Sequence, residues 1–219
     1  MKNKKIIFID LDGTVLDVSE RIYRLYCDIL KKYKKRILSK RKYLNLKRQR
    51  KPVKEILAKT KAIDIFLKFQ KEWEKKIENY NYLKLDKISS LNRKKILSLK
   101  NQYKLVLVTL RNHPRRLFRQ LKEMNIDKIF DKVLVIRERD PVNKRDKWKL
   151  KVRAIKKYKN FNKNSVIIGD TETDILAGKR LGIKTVAVAN GMRDKKFLKK
   201  YKPNILIKNF SEIENFLLM

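Results

Sequence analysis

Six short apolar runs punctuate the chain, at residues 5–9, 105–109, 133–136, 166–169, 185–189 and 205–207. Most are continuous rather than alternating, the pattern of parallel strands buried on both faces. Between most of them apolar residues recur at helical spacing. Leu117, Phe118, Leu121 and Met124 share one helix face, with Pro114 near its start, and Leu150, Ala154, Ile155 and Tyr158 mark another. A last helix opens with Ser211 and, three residues on, Glu214, a capping box ahead of Phe216 and Leu217. This alternation predicts an α/β fold, an open, doubly wound, Rossmann-like parallel sheet.

One interval breaks the alternation. Between residue 16 and about residue 100 no strand pattern stands out. Val18, Ile22, Leu25, Tyr26, Ile29 and Tyr33 recur at helical spacing instead. Beyond Pro52 a similar pattern runs through Val53, Ile56, Ile63, Phe66, Trp73, Ile77 and Tyr80. The interval is too long for a crossover loop. It predicts a helical domain, residues 17–99, inserted into a core of residues 1–16 and 100–219. Its most biased stretch, residues 31–51, reads as a solvated helix or a loop.

Composition narrows the setting. Of 219 residues 42% are hydrophobic, enough for a packed core. The single cysteine, Cys27, allows no intramolecular disulfide, which fits a reducing compartment. Asp10 and Asp12 cut short the apolar run that follows the first lysines, well before a secretory signal could form. No later stretch reaches the roughly 18 apolar residues of a membrane span. A soluble, cytoplasmic protein with no membrane partner is expected. Lys and Arg total 60 against 23 Asp and Glu, a net charge of +37. Such a field attracts nucleic acid and other polyanions. The basic residues are dispersed rather than gathered in one stripe, which favours lysine-rich solvated faces over a dedicated polyanion site. Anionic substrates are favoured either way.

The candidate chemistry sits where predicted strands end. The first run closes in Asp10-Leu11-Asp12-Gly13-Thr14, with a glycine that eases an immediate turn. The run at 166–169 closes in Gly169-Asp170, with Asp174 four residues later, and the run at 105–109 closes in Thr109. In an open parallel sheet ligands bind at the carboxyl ends of strands. Magnesium takes oxygen ligands, commonly one or two carboxylates with waters and substrate phosphate. Asp10 and Asp170 can supply the carboxylates, and the backbone carbonyl of Asp12 a further oxygen.

These motifs, in this order, resemble the haloacid dehalogenase superfamily of phosphohydrolases. The first motif, Asp-x-Asp-Gly-Thr, stands at residues 10–14, followed by Leu16-Asp17; the second matches Thr109; the fourth, Gly-Asp-x-x-x-Asp, matches Gly169, Asp170 and Asp174. The third is a lysine. Lys144 and Lys147 both stand at a suitable distance, and Lys147, just ahead of the helix at 148–158, is the one the resemblance favours. The resemblance implies a phosphatase with Asp10 as nucleophile and Asp12 as general acid and base. Thr109 would contact the phosphoryl oxygens, with Arg111 a further candidate for that contact. The lysine would neutralise charge. Magnesium would be held at Asp10, Asp12, Asp170 and Asp174. Family dehalogenases lack the second aspartate, since a halide departs without a proton, so phosphoryl transfer to water from a small phosphorylated substrate is the implied reaction. The helical insert resembles the family's mobile cap. A phosphomutase, a phosphatase for nucleic acid ends and a non-catalytic binding protein are the competing readings. His113 reads as a loop residue ahead of Pro114, Trp73 and Trp148 as packing residues, and Cys27 as a small buried side chain.

Overall fold

The structure is a computed structural model and describes residues 4–136 and 146–213. In chain order its strands and α-helices are β1 (Ile6–Ile9), α1 (Ser19–Lys32), α2 (Lys40–Arg48), α3 (Val53–Ala58), α4 (Phe66–Lys76), α5 (Tyr80–Leu83), α6 (Ser90–Gln102), β2 (Lys104–Thr109), α7 (Pro114–Glu123), β3 (Lys132–Val135), α8 (Lys147–Lys156), β4 (Val166–Gly169), α9 (Glu172–Leu181), β5 (Lys184–Val188), α10 (Lys195–Lys199) and β6 (Ile205–Ile207). They fall into two compact units, Met1–Asp17 with Ile88–Met219, and Val18–Lys87.

The first unit holds a six-stranded sheet in the order β3-β2-β1-β4-β5-β6, every pairing parallel. This is the doubly wound order, in which the chain starts at the centre and winds outward both ways. β1 is therefore flanked on both sides: Phe8 registers with Val106 of β2 and with Ile167 of β4. Its four residues are all buried, as are those of β4, which is why both read as continuous apolar runs. Side chains alternate between faces. Ile6, Phe8, Val106, Val108 and Ile167 meet Leu150, Val152 and Ile155 of α8 and Ala177 and Leu181 of α9 in one core. Burying each such side chain contributes about 1.5–3 kcal/mol. The Phe8 ring meets Tyr158 edge to face at a centroid distance of 5.9 Å. α6 packs against β2.

The second unit is helical, α1 to α5, around an aromatic core. Tyr26 and Tyr43 stack with centroids 4.1 Å apart, and Phe69 stacks on Trp73 at 5.7 Å. Arg21 and Asp86 form a buried ion pair at 3.1 Å, joining α1 to the end of the unit.

The six strands fall within one residue of the expected bounds. Elsewhere the pattern misled. Phe118, assigned to the apolar face of α7, is 47% exposed, and Ile63 is 55% exposed in a 3-10 turn that breaks the second helical pattern of the insert. The first unit resumes at Ile88, earlier than residue 100, because α6 belongs with the sheet. Residues 31–51 contain α2, with a loop on either side. Ser211 lies in a 3-10 turn, Phe210–Glu212; Glu214, Phe216 and Leu217 lie outside the described residues.

Candidate active site

β1 delivers Asp10 to the carboxyl edge of the sheet between β2 and β4, where its backbone N–H donates to the Ile168 carbonyl at 2.9 Å. The chain then turns at once. The Leu11 carbonyl accepts from Val15 (3.1 Å) and Leu16 (3.0 Å), and Gly13 N–H donates to the Leu16 carbonyl at 2.8 Å. Gly13 has φ of +88°, and a Cβ there would stand 2.1 Å from Asp170 Oδ2. Both facts require glycine. The turn lies against Asp170 as a result.

Three carboxylates gather at this edge. Asp10, Asp170 and Asp174 each place one oxygen within 4.8 Å of the others. Lys151, on α8, reaches them from below. Its Nζ donates to Asp10 Oδ1 and to Asp174 Oδ1, each at 2.5 Å, and the side chain is only 2% exposed. Asp174 is the third residue of α9, and its Oδ2 accepts from the Thr171 backbone and hydroxyl in a capping box. Helix capping thus aims Oδ1 at the lysine. Asp170 is fully buried; it accepts from the Thr14 hydroxyl at 3.2 Å and from the Met192 N–H at 2.5 Å. The segment carrying Met192 packs tightly, since a Cβ on Gly191 would lie 2.2 Å from Asp170 Oδ2 and 2.3 Å from the Gly13 carbonyl. Arg193, next along, pairs with Glu172 at 2.9 Å.

The electrostatics follow from burial. Burial is the largest influence on Asp10 and raises its carboxyl from 3.8 to about 7; Lys151 opposes this, while Asp174 and then Asp12 reinforce it. Burial, then repulsion from Asp10 and Asp174, lifts Asp170 well above the usual carboxylate range. Burial alone would lower Lys151, but the charges of Asp10 and Asp174 outweigh it and raise its pKa. Three clustered acids therefore face one lysine. That excess of negative charge, presented by hard oxygen donors with no cysteine or histidine among them, fits a divalent cation such as magnesium.

Of the residues expected from sequence, Asp10, Asp170 and Asp174 come together. Thr109 closes β2, adjacent to β1, and is buried. Both oxygens of the Asp12 carboxylate accept from Arg111 in a salt bridge, which leaves the Asp12 backbone carbonyl as the oxygen expected of it toward a cation. Arg111, expected on phosphate, is turned to Asp12. Lys147 is corrected: it begins α8, half-buried, one helical turn before Lys151, the lysine that reaches the carboxylates. Lys144 lies outside the described residues. Lys151 left a trace in the sequence, as a lysine flanked by Leu150 and Val152 and four residues from Ile155 on a helix whose interior face is apolar. The Met192 and Gly191 contacts left none.

A parallel sheet with a buried carboxylate and lysine at the end of its central strand defines an α/β protein of the enzyme type, with its candidate site at that edge. The chain belongs to the haloacid dehalogenase-like hydrolase family, whose model matches residues 6–188. A pyrophosphatase PpaX of Bacillus thuringiensis is 25% identical over 221 residues, spanning 97% of this chain and 95% of its own. Among solved structures, a haloacid dehalogenase-like hydrolase of Streptococcus pneumoniae superposes with a TM-score of 0.71 at 20% identity over 99% of both chains. Protein tyrosine kinase A of Mycobacterium tuberculosis superposes with a TM-score of 0.72 at 16% identity over 100% of both. At these identities the superpositions speak for the fold.

Proposed function

We propose that this hydrolase is a magnesium-dependent phosphatase that cleaves phosphate monoesters through an aspartyl-phosphate on Asp10. The observation that carries the reading is the placement of Asp10: at the edge of the central strand, 2.5 Å from a buried lysine and grouped with Asp170 and Asp174. In the first step an Asp10 oxygen bonds to phosphorus, the bond to the leaving oxygen breaks, and Asp12, which enters the step protonated, gives that oxygen its proton. In the second, Asp12 takes a proton from water, the water oxygen bonds to phosphorus, and the bond to Asp10 breaks, releasing inorganic phosphate. Lys151 neutralises charge shared by Asp10 and the phosphoryl oxygens, and Thr109 supplies a hydroxyl to those oxygens from the neighbouring strand. Asp10, Asp170 and Asp174, with the Asp12 carbonyl, would hold magnesium. Bound there, the ion would keep Asp10 as the carboxylate and offset repulsion between nucleophile and substrate. The relatives' name puts pyrophosphate beside small phosphorylated metabolites in the first substrate panel.

The test is phosphate release from an aryl phosphate ester with magnesium and with chelator, for wild type and Asp10→Asn. Turnover that needs magnesium and is abolished by the substitution is expected. Turnover that survives in Asp10→Asn would exclude this nucleophile.

A further inference from the structure

Arg111 stands two residues beyond the end of β2 and is 3% exposed. Its guanidinium is engaged as a fork: Nε donates to Asp12 Oδ2 at 2.7 Å and Nη2 to Asp12 Oδ1 at 2.6 Å. Nη2 also donates to Gln120 Oε1, on α7, at 3.3 Å. An arginine beside a phosphate-handling motif invites assignment to the phosphate. Here one fork of the guanidinium, Nε with Nη2, is already matched to a carboxylate.

We propose that Arg111 is a positioning residue for Asp12, aiming its carboxylate at the leaving oxygen and taking no part in binding the phosphoryl group. The assignment rests on the reading of Asp12 as general acid and base. Asp12 lies in the turn after β1, and its side chain is 29% exposed. A carboxylate so placed has two torsions to lose. Two parallel hydrogen bonds to a buried guanidinium fix both torsions, and Gln120 fixes the plane of the guanidinium. To carry a proton on one oxygen, Asp12 must release one of the two contacts, and the other remains as a tether. The proton reaches the leaving oxygen as its bond to phosphorus breaks, so the aim of Asp12 matters in proportion to how much that oxygen needs a proton. Esters of weakly basic phenols need little help, whereas alkyl esters need the full contribution of a general acid. Lysine keeps the charge of Arg111 but cannot make the fork.

The experiment compares wild type with Arg111→Lys, Arg111→Met and Gln120→Met on phosphate monoesters of rising leaving-group pKa, with inhibition by inorganic phosphate alongside. For both Arg111 variants, kcat should fall by no more than about 3-fold on the best leaving group and by about 100-fold on the poorest. KM and phosphate inhibition should stay within about 2-fold of wild type. Gln120→Met, which leaves both charges in place, should show the same slope in milder form and serves if an Arg111 variant does not fold. Equal losses across the series would mean that Arg111 only supports the fold. Losses accompanied by weakened phosphate inhibition would return it to the phosphate. Either outcome overturns the assignment while leaving magnesium-dependent turnover through Asp10 intact. A wild type inactive on the whole series, or an active Asp10→Asn, overturns the phosphatase reading and this assignment with it.

Discussion

A lysine that is almost wholly buried is tolerated only where opposite charge meets it, and Lys151 meets two aspartates. Its removal leaves Asp10 and Asp174 facing each other without a counter-charge. Lys151→Met should lower kcat/KM on an aryl phosphate by about 100- to 1,000-fold, the scale seen for single electrostatic groups in active sites. Lys147→Met, one turn earlier and outside the cluster, should stay within about 3-fold of wild type on the same scale. Equal losses in the two variants would return the motif to Lys147. The pair also marks what could be read at this scale without a structure. That Asp10 and Asp170 stand together was legible because strand ends in a parallel sheet face one edge, and Asp174, on α9, was placed beside them by the motif it shares with Asp170. The lysine was not, because spacing discriminates poorly among 60 basic residues. The pairing of Arg111 with Asp12 spans 99 positions, and no local pattern reports a contact of that range.

Strands were the most legible elements, since burial on both faces leaves a run of β-branched and aliphatic residues. α6 was not legible: Leu91 and Leu97 are exposed while Ile96 and Leu99 are buried, so its apolar residues trace no single stripe. Helix ends hold a feature of their own. With five glycines in the chain, several helices close on other residues in the left-handed region. Lys34, Arg50 and Lys61 have φ of 52°, 58° and 53° after α1, α2 and α3. Each is followed by a residue whose N–H bonds back into the last turn, as Lys35 does to the Leu30 carbonyl at 2.8 Å. Among the described residues, only after α9 does a glycine, Gly182, hold this place. A side chain in that conformation costs roughly 1 kcal/mol or more. Lys34→Gly should therefore stabilise the protein by about 0.5–1 kcal/mol, part of the strain being offset by a freer unfolded chain. In thermal unfolding that is a rise of about 1–4 °C, and a fall would mean that the lysine stem packs usefully where it is.

Across the whole molecule, a net charge of +37 makes each carboxylate count twice, as a local partner and as relief of repulsion. Glu72 shows the local part. Hydrogen bonds from Lys32 and then Lys76 hold its carboxyl down, from 4.5 to about 2. A group whose folded pKa is depressed stabilises the fold above its unfolded pKa and loses that contribution as pH falls through the folded value. Glu72→Gln should thus be less stable than wild type at neutral pH. The two should converge as pH drops from 4.5 toward about 2, as read from urea unfolding midpoints. A gap that stayed constant through that range would mean that the two lysines do not stabilise the carboxylate. The central place of β1 bears on how the protein is made. The strand carrying Asp10 is synthesised before the other five, yet its partners are Lys104–Thr109 and Val166–Gly169. At about 5–20 residues per second, roughly ten seconds or more pass before both neighbours exist. Through that interval Ile6-Ile7-Phe8-Ile9 is an unpaired apolar segment in a nascent chain, open to chaperones and to its own kind. Asp10 is synthesised before the strands that flank it and can be seated only once both exist.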